Sequence, residues 1–230
     1  MHRSNRPRCV APPFTSRHRW LFPPLDNLMQ KTLFHDPGVH VGFLNLLDFS
    51  HIQQLNQLCI FIFTLTIMHF LCLHGVGTNS KVLEMQTAAL RYELGDGHTY
   101  DFVEGMFPYE LAPEIKDFVS EGDQGFSYFD PNSTDASLRA VSDLQRLIVE
   151  DGPYDGILAF SQGMMLASTL LVHLQRQKAA GEIAAFPFKC AVFFSPRLGP
   201  LDYKELEAGK FVEVDGDAIP EFLSIPTTLI

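Results

Sequence analysis

The chain reads as an α/β protein, a parallel β-sheet with helices packed on both faces. Three observations predict this class. Apolar runs of strand length recur through residues 68–230, at Met68–Leu73, Asp155–Phe160 and Cys190–Ser195. Between them lie segments of helical period, with Leu138, Val141, Leu144, Leu147 and Ile148 spaced three and four apart. Two of the apolar runs pass at once into small turn-forming residues, His74-Gly75-Val76-Gly77 and Ser161-Gln162-Gly163. Alternating strand and helix units of this kind build a parallel sheet.

The elements follow in order. Met68–Leu73 is a buried strand that enters the glycine-rich turn ending at Ser80. Leu83 to Leu94 is rich in helix formers and reads as one helix. Thr99–Val103 is a second strand. From Glu104 to Ser133 no period holds, and the segment offers prolines, glycines and rings. A loop of that length in a compact domain usually has a function or lacks order. We expect either a surface excursion pinned by aromatics or a cap over an apolar pocket, with Phe126, Tyr128 and Phe129 in contact with substrate. The amphipathic helix around Leu138–Ile148 leads to the central strand Asp155–Phe160, then to the helix Gly163–Lys178. Cys190–Ser195 and Ile225–Ile230 supply two further strands.

Residues 1–67 differ from the rest. They carry six Lys or Arg against three Asp, whereas the whole chain has a net charge of −10. The Arg-, Pro- and Ser-bearing opening faintly suggests organelle targeting, but its prolines interrupt any amphipathic helix. We expect an atypical, poorly ordered N-terminal extension over 1–67 and a functional domain over 68–230, in the cytoplasm. The apolar run Leu58–Leu73 has 16 residues, fewer than the ~20 needed to span a bilayer. No membrane partner is expected, although a tether through this run is a third reading.

An acidic globule repels phosphate backbones, which argues against nucleic acid as a partner. Cys9, Cys59, Cys72 and Cys190 form no C-x-x-C pair and read as reduced thiols. No metal or other cofactor is expected.

Ser161 carries the chemistry. The run Gly156-Ile-Leu-Ala-Phe-Ser-Gln-Gly163 places one serine between a buried strand and a helix, in the pattern Ala159-x-Ser161-x-Gly163. That context lifts a hydroxyl to the top of a sheet as a nucleophile. Alanine at the first small position still lets strand and helix pass closely. The backbone N–H of Gln162, at the helix start, is one candidate oxyanion donor. The glycine-rich turn offers a second, at Val76.

A serine also needs a base and a carboxylate to orient it. On such a sheet the chain order is serine, acid, histidine. The only later histidine is His173, twelve residues along the same helix and roughly 18 Å distant at 1.5 Å per residue. His98 enters its strand from the opposite edge. His74 lies at the correct edge, where hydrogen bonding within its own turn competes for it. Asp202, Asp215 and Asp217 follow the serine without a histidine to orient.

Leu71-Cys-Leu-His-Gly-Val-Gly-Thr-Asn-Ser80, Gln86-Thr-Ala-Ala-Leu90, Gly152-Pro-Tyr-Asp-Gly156, Phe160-Ser-Gln-Gly163 and Ile225-Pro-Thr227 occur in order. Together they resemble the FSH serine hydrolases, small α/β-hydrolases common in fungi and similar to the human ovarian-cancer-associated hydrolase. The resemblance covers Met68 to Ile230. It implies a Ser-Asp-His esterase or thioesterase acting on a small-molecule acyl ester or thioester. Fungal relatives often release chains from polyketide synthases, which implies a role in secondary metabolism and an acyl carrier domain as partner. Ser161 matches the nucleophile, and Gln162 and the turn after His74-Gly75 match the oxyanion donors. The family's acid follows the Ile-Pro-Thr strand and its histidine lies in a later Gly-Gly-His-like loop. Neither has a counterpart here, so the α/β-hydrolase domain is expected to be incomplete at its C-terminus. The alternative function is a catalytically inactive, truncated hydrolase that serves as a binding remnant.

Overall fold

The computed structural model describes residues 66–194, 199–214 and 223–229. Its central sheet has five parallel strands in the order β2-β1-β5-β6-β7. They are β1 (His69–Leu73), β2 (Thr99–Val103), β5 (Gly156–Phe160), β6 (Cys190–Phe194) and β7 (Thr227–Leu229). A separate antiparallel hairpin joins β3 (Phe107–Tyr109) to β4 (Gly125–Ser127). The helices are α1 (Ser80–Gln86), α2 (Ala88–Leu94), α3 (Thr134–Asp151), α4 (Gln162–Ala179) and α5 (Tyr203–Glu207).

Side-chain alternation along the strands divides the core in two. Leu71, Leu73, Ile157, Ala159, Ala191 and Phe193 face α3, α4 and α5. Phe70, Cys72, Leu158, Phe160, Val192 and Phe194 face Leu83 of α1 and Leu90 of α2. A parallel sheet covered on both sides buries its strands completely, and β5 and β6 are buried at every position. This is the α/β class expected from the sequence.

Strand order places the site. The chain runs from β1 outward to β2, then returns to the other side of β1 through β5. The connection after β1 enters α1 on one face, and the connection after β5 enters α4 on the other. A crevice opens at the strand C-termini where connections diverge in this way. The turn Gly75–Gly77 and Ser161 stand on its two sides.

Several boundaries moved. The single helix expected over Leu83–Leu94 is two short helices that meet at Thr87. Thr87 Oγ1 donates to the Leu83 carbonyl at 2.8 Å, and its backbone takes ψ near 1°, which ends the first helix. The aperiodic segment from Glu104 to Ser133 holds the β3–β4 hairpin and a 3-10 turn at Pro113–Phe118. Helix α5 was not expected. Asp202 caps it, accepting the N–H groups of Lys204 and Glu205 at 3.0 and 3.2 Å, and pairs with Arg176 at 2.8 Å. The expectations for residues 1–65, Asp215 and Asp217 fall outside the described residues. Among the described residues no helix is long and apolar enough to cross a membrane. The end of the apolar run Leu58–Leu73 is strand β1.

Candidate active site

Strand β5 ends at Phe160 and α4 starts at Gln162, so one residue makes the reversal. Ser161 does this with φ 49° and ψ −112°. Among the described residues no other non-glycine has positive φ, a conformation that costs about 1–3 kcal/mol. Its neighbours hold it there. The Ser161 N–H donates to the Phe194 carbonyl at 3.1 Å, and the Ser161 carbonyl accepts the Met165 N–H at 3.0 Å.

A serine at a helix N-cap ordinarily accepts a hydrogen bond from its own helix. Ser161 makes no such bond. Its side chain is partly exposed, at the C-terminal edge of the sheet. The Oγ is therefore not committed to holding the helix.

The small residues of the motif have separate reasons. Ala159 lies wholly within the core. A Cβ at Gly163 would stand 2.6 Å from the His74 carbonyl oxygen and 2.7 Å from that of Leu73, both backbone atoms. Only glycine permits that approach, and the Gly163 N–H uses it to reach the His74 carbonyl at 3.1 Å.

The turn after β1 faces the serine. A Cβ on Gly75 would lie 3.3 Å from Ser161 Cβ. The Thr78 N–H returns to the Gly75 carbonyl at 3.3 Å, closing a turn whose third residue, Gly77, has φ 70°. The N–H groups of Val76 and Gln162 have no protein acceptor among the described residues. Gly77 carries the β3–β4 hairpin, with the Gly77 N–H on the Phe126 carbonyl at 2.9 Å and the Phe126 N–H on the Thr78 carbonyl at 2.8 Å.

Gln162 does more than supply a backbone group. Its side chain is 7% exposed and clamps the chain just after β4. Oε1 accepts the Tyr128 N–H at 3.0 Å, while Nε2 donates to Ser127 Oγ and to the Phe129 carbonyl, each at 3.0 Å. Phe129 and Tyr128 are taken into the core beneath α3. The Tyr128 hydroxyl accepts the His74 N–H and donates to the Val103 carbonyl, both at 2.8 Å. Burial pushes this phenol well above its ordinary range, so it stays protonated for that donation. These two rings are thus anchors of the fold. Phe126, half-buried in the hairpin, keeps surface to offer.

Each described histidine has an occupation away from the serine hydroxyl. His74 is wholly buried; its Nδ1–H donates to the Gly75 carbonyl at 2.7 Å and its Nε2 lies 2.9 Å from Glu104 Oε1. His98 sits below β1, accepting the Met68 N–H at 3.1 Å. His173 stacks on Tyr203 with ring centroids 3.8 Å apart. His69 pairs with Asp101 at 3.0 Å. Sequence reasoning missed Glu104 and Thr78 as partners of the turn. The available signal was that Glu104 directly follows β2, and so lies at the same sheet edge as Ser161.

The family model described as "Serine hydrolase (FSH1)" matches residues 64–223, which span both the turn and the serine. The chain belongs to the FSH1 serine hydrolase family. It is 41% identical over 167 residues to the esterase FPY3 of Fusarium mangiferae, covering 71% of this chain and 72% of that one. It is 32% identical over 163 residues to the hydrolase phiM of a fungal species, covering 70% and 69%. Among solved structures it is similar to a carboxylesterase from Mesorhizobium loti at 13% identity and a TM-score of 0.41, covering 70% of this chain and 78% of that one. The fold assignment rests on the sheet and the family match, not on that likeness. In this serine hydrolase family member the serine stands at the turn after the central strand of the parallel sheet.

Proposed function

We propose that this FSH1-family hydrolase cleaves small-molecule acyl esters or thioesters with Ser161 as nucleophile. The observation that carries the reading is the Ser161 backbone, turned to φ 49° between β5 and α4 with its side chain off the helix cap. In the reaction Ser161 Oγ bonds to the acyl carbon, its proton leaves to a base, and the carbonyl oxygen takes up negative charge. The N–H groups of Val76 and Gln162 hold that charge, an interaction made only as it develops. Collapse expels the alcohol or thiol, and water then releases the acid from the acyl-enzyme. No described histidine is placed to serve as that base.

Fungal secondary metabolism, with an acyl chain bound to a carrier as substrate, is the finer form of this reading. It is supported by the sequence resemblance to fungal hydrolases that accompany polyketide synthases. A second reading, a catalytically silent acyl-binding protein, is favoured by one observation. Every described histidine is engaged away from Ser161.

One experiment separates the two. The full chain is treated with a fluorophosphonate probe, with Ser161→Ala as control, and hydrolysis of matched oxygen esters and thioesters is followed. Labelling that vanishes in the variant, with turnover, supports the esterase. Absence of labelling supports the silent protein.

A further inference from the structure

The Gly75 carbonyl collects three donors. They are His74 Nδ1–H at 2.7 Å, Thr78 Oγ1–H at 2.8 Å and the Thr78 N–H at 3.3 Å. This carbonyl shares a peptide unit with the Val76 N–H. A trans peptide is planar, and its C=O and N–H point to opposite sides. Whatever fixes the direction of the Gly75 oxygen therefore fixes that of the Val76 hydrogen. Hydrogen bonds to the oxygen also polarise the unit, which strengthens its N–H as a donor.

The donors are themselves held. His74 is fully buried, its ring centroid 4.7 Å from that of Tyr128. Its Nε2 faces the Gly105 N–H and Glu104 Oε1, each at 2.9 Å. The Glu104 carboxylate is anchored on α1, taking the Ser80 N–H at 3.1 Å and the Ser80 hydroxyl at 2.9 Å. The turn is thus braced from β1, from β2 and from the first residue of α1.

We propose that Thr78, His74 and Glu104 are positioning residues that aim the Val76 N–H at the oxyanion formed on Ser161. None of the three side chains has a recorded contact with the serine. They act through the Gly75–Val76 peptide, His74 and Thr78 directly and Glu104 through His74. The inference rests on the reading of Ser161 as the acylated nucleophile.

Fluorophosphonate labelling of the full-length protein tests it, with the rate resolved into probe affinity and inactivation step. Wild type, Thr78→Val, Thr78→Ser and Glu104→Gln are compared, and their melting temperatures are measured alongside. Thr78→Val and Glu104→Gln are expected to slow the inactivation step about tenfold with probe affinity unchanged. Thr78→Ser keeps the hydroxyl and is expected to keep the rate. If Thr78→Val fails to fold, Glu104→Gln carries the comparison. Variants with a lower melting temperature but the wild-type inactivation rate would be fold anchors only, which overturns the positioning role and leaves the nucleophile intact. A wild-type protein that takes no label defeats both.

Discussion

The His74 carbonyl accepts the Gly163 N–H at 3.1 Å, joining the turn after β1 to the first turn of the helix behind the serine. This backbone bond sets the turn and the start of the serine's helix against one another. The contact depends on a missing Cβ. Gly163→Ala places a methyl group 2.6 Å from the His74 oxygen and is expected to cost about 1–3 kcal/mol of stability. Urea denaturation checks this, and an unchanged midpoint would mean that the two elements are not held so close.

Ser161 stores strain that glycine would relieve. Positive φ costs a serine about 1–3 kcal/mol, while glycine loses about 0.5–1 kcal/mol more chain entropy on folding. Ser161→Gly is expected to raise stability by about 1 kcal/mol while abolishing fluorophosphonate labelling. A destabilised variant would argue against the strained turn.

The Gln162 carboxamide is the partner of a buried N–H on Tyr128 and a carbonyl on Phe129. Gln162→Leu keeps the approximate volume and strands the Tyr128 N–H, at about 1–3 kcal/mol, while the Phe129 carbonyl keeps the Ser127 hydroxyl at 2.7 Å. Unfolding should occur at lower urea, and the Tyr128 amide should exchange its hydrogen faster. Exchange as slow as in the wild type would show that the segment after β4 is held by its rings alone.

Asp155, at the opposite edge of the sheet, should contribute to acid sensitivity. Partial burial alone would raise its carboxyl. The Lys189 ammonium at 2.6 Å and the His69 N–H at 2.9 Å outweigh this and hold it below its ordinary value of 3.8. A carboxyl lowered by folding stabilises above its unfolded value, and that stability is lost as pH falls through the folded value. Stability is therefore expected to drop below pH 3.8, and Asp155→Asn to flatten the slope there. Denaturation curves from about pH 5 to about pH 2.5 read the effect. An identical slope in the variant would remove Asp155 from the account.

The parallel sheet was legible because its signal is local. Ile157, Leu158, Ala159 and Phe160 are apolar in succession, which suits a strand covered on both faces. Ser161 was legible for a related reason, since a strand, one serine and a glycine-bearing helix start lie within eight residues. The break at Thr87 was less visible, because it depends on a side chain choosing the Leu83 carbonyl over solvent. Tyr128 and Phe129 were expected at a pocket wall, and they anchor the core. An aromatic residue in an aperiodic segment suits either place, and only the clamp from Gln162 draws these two inward.

Sequence by itself determined the class, the order of the five sheet strands along the chain, and the serine at the strand-to-helix reversal, since each follows from the character of adjacent residues. Tertiary structure alone decided which groups surround that serine. Glu104 reaches His74, and through it the Gly75–Val76 peptide, because β2 lies in register beside β1, pairing Val103 with Leu73. No spacing along the chain encodes that pairing.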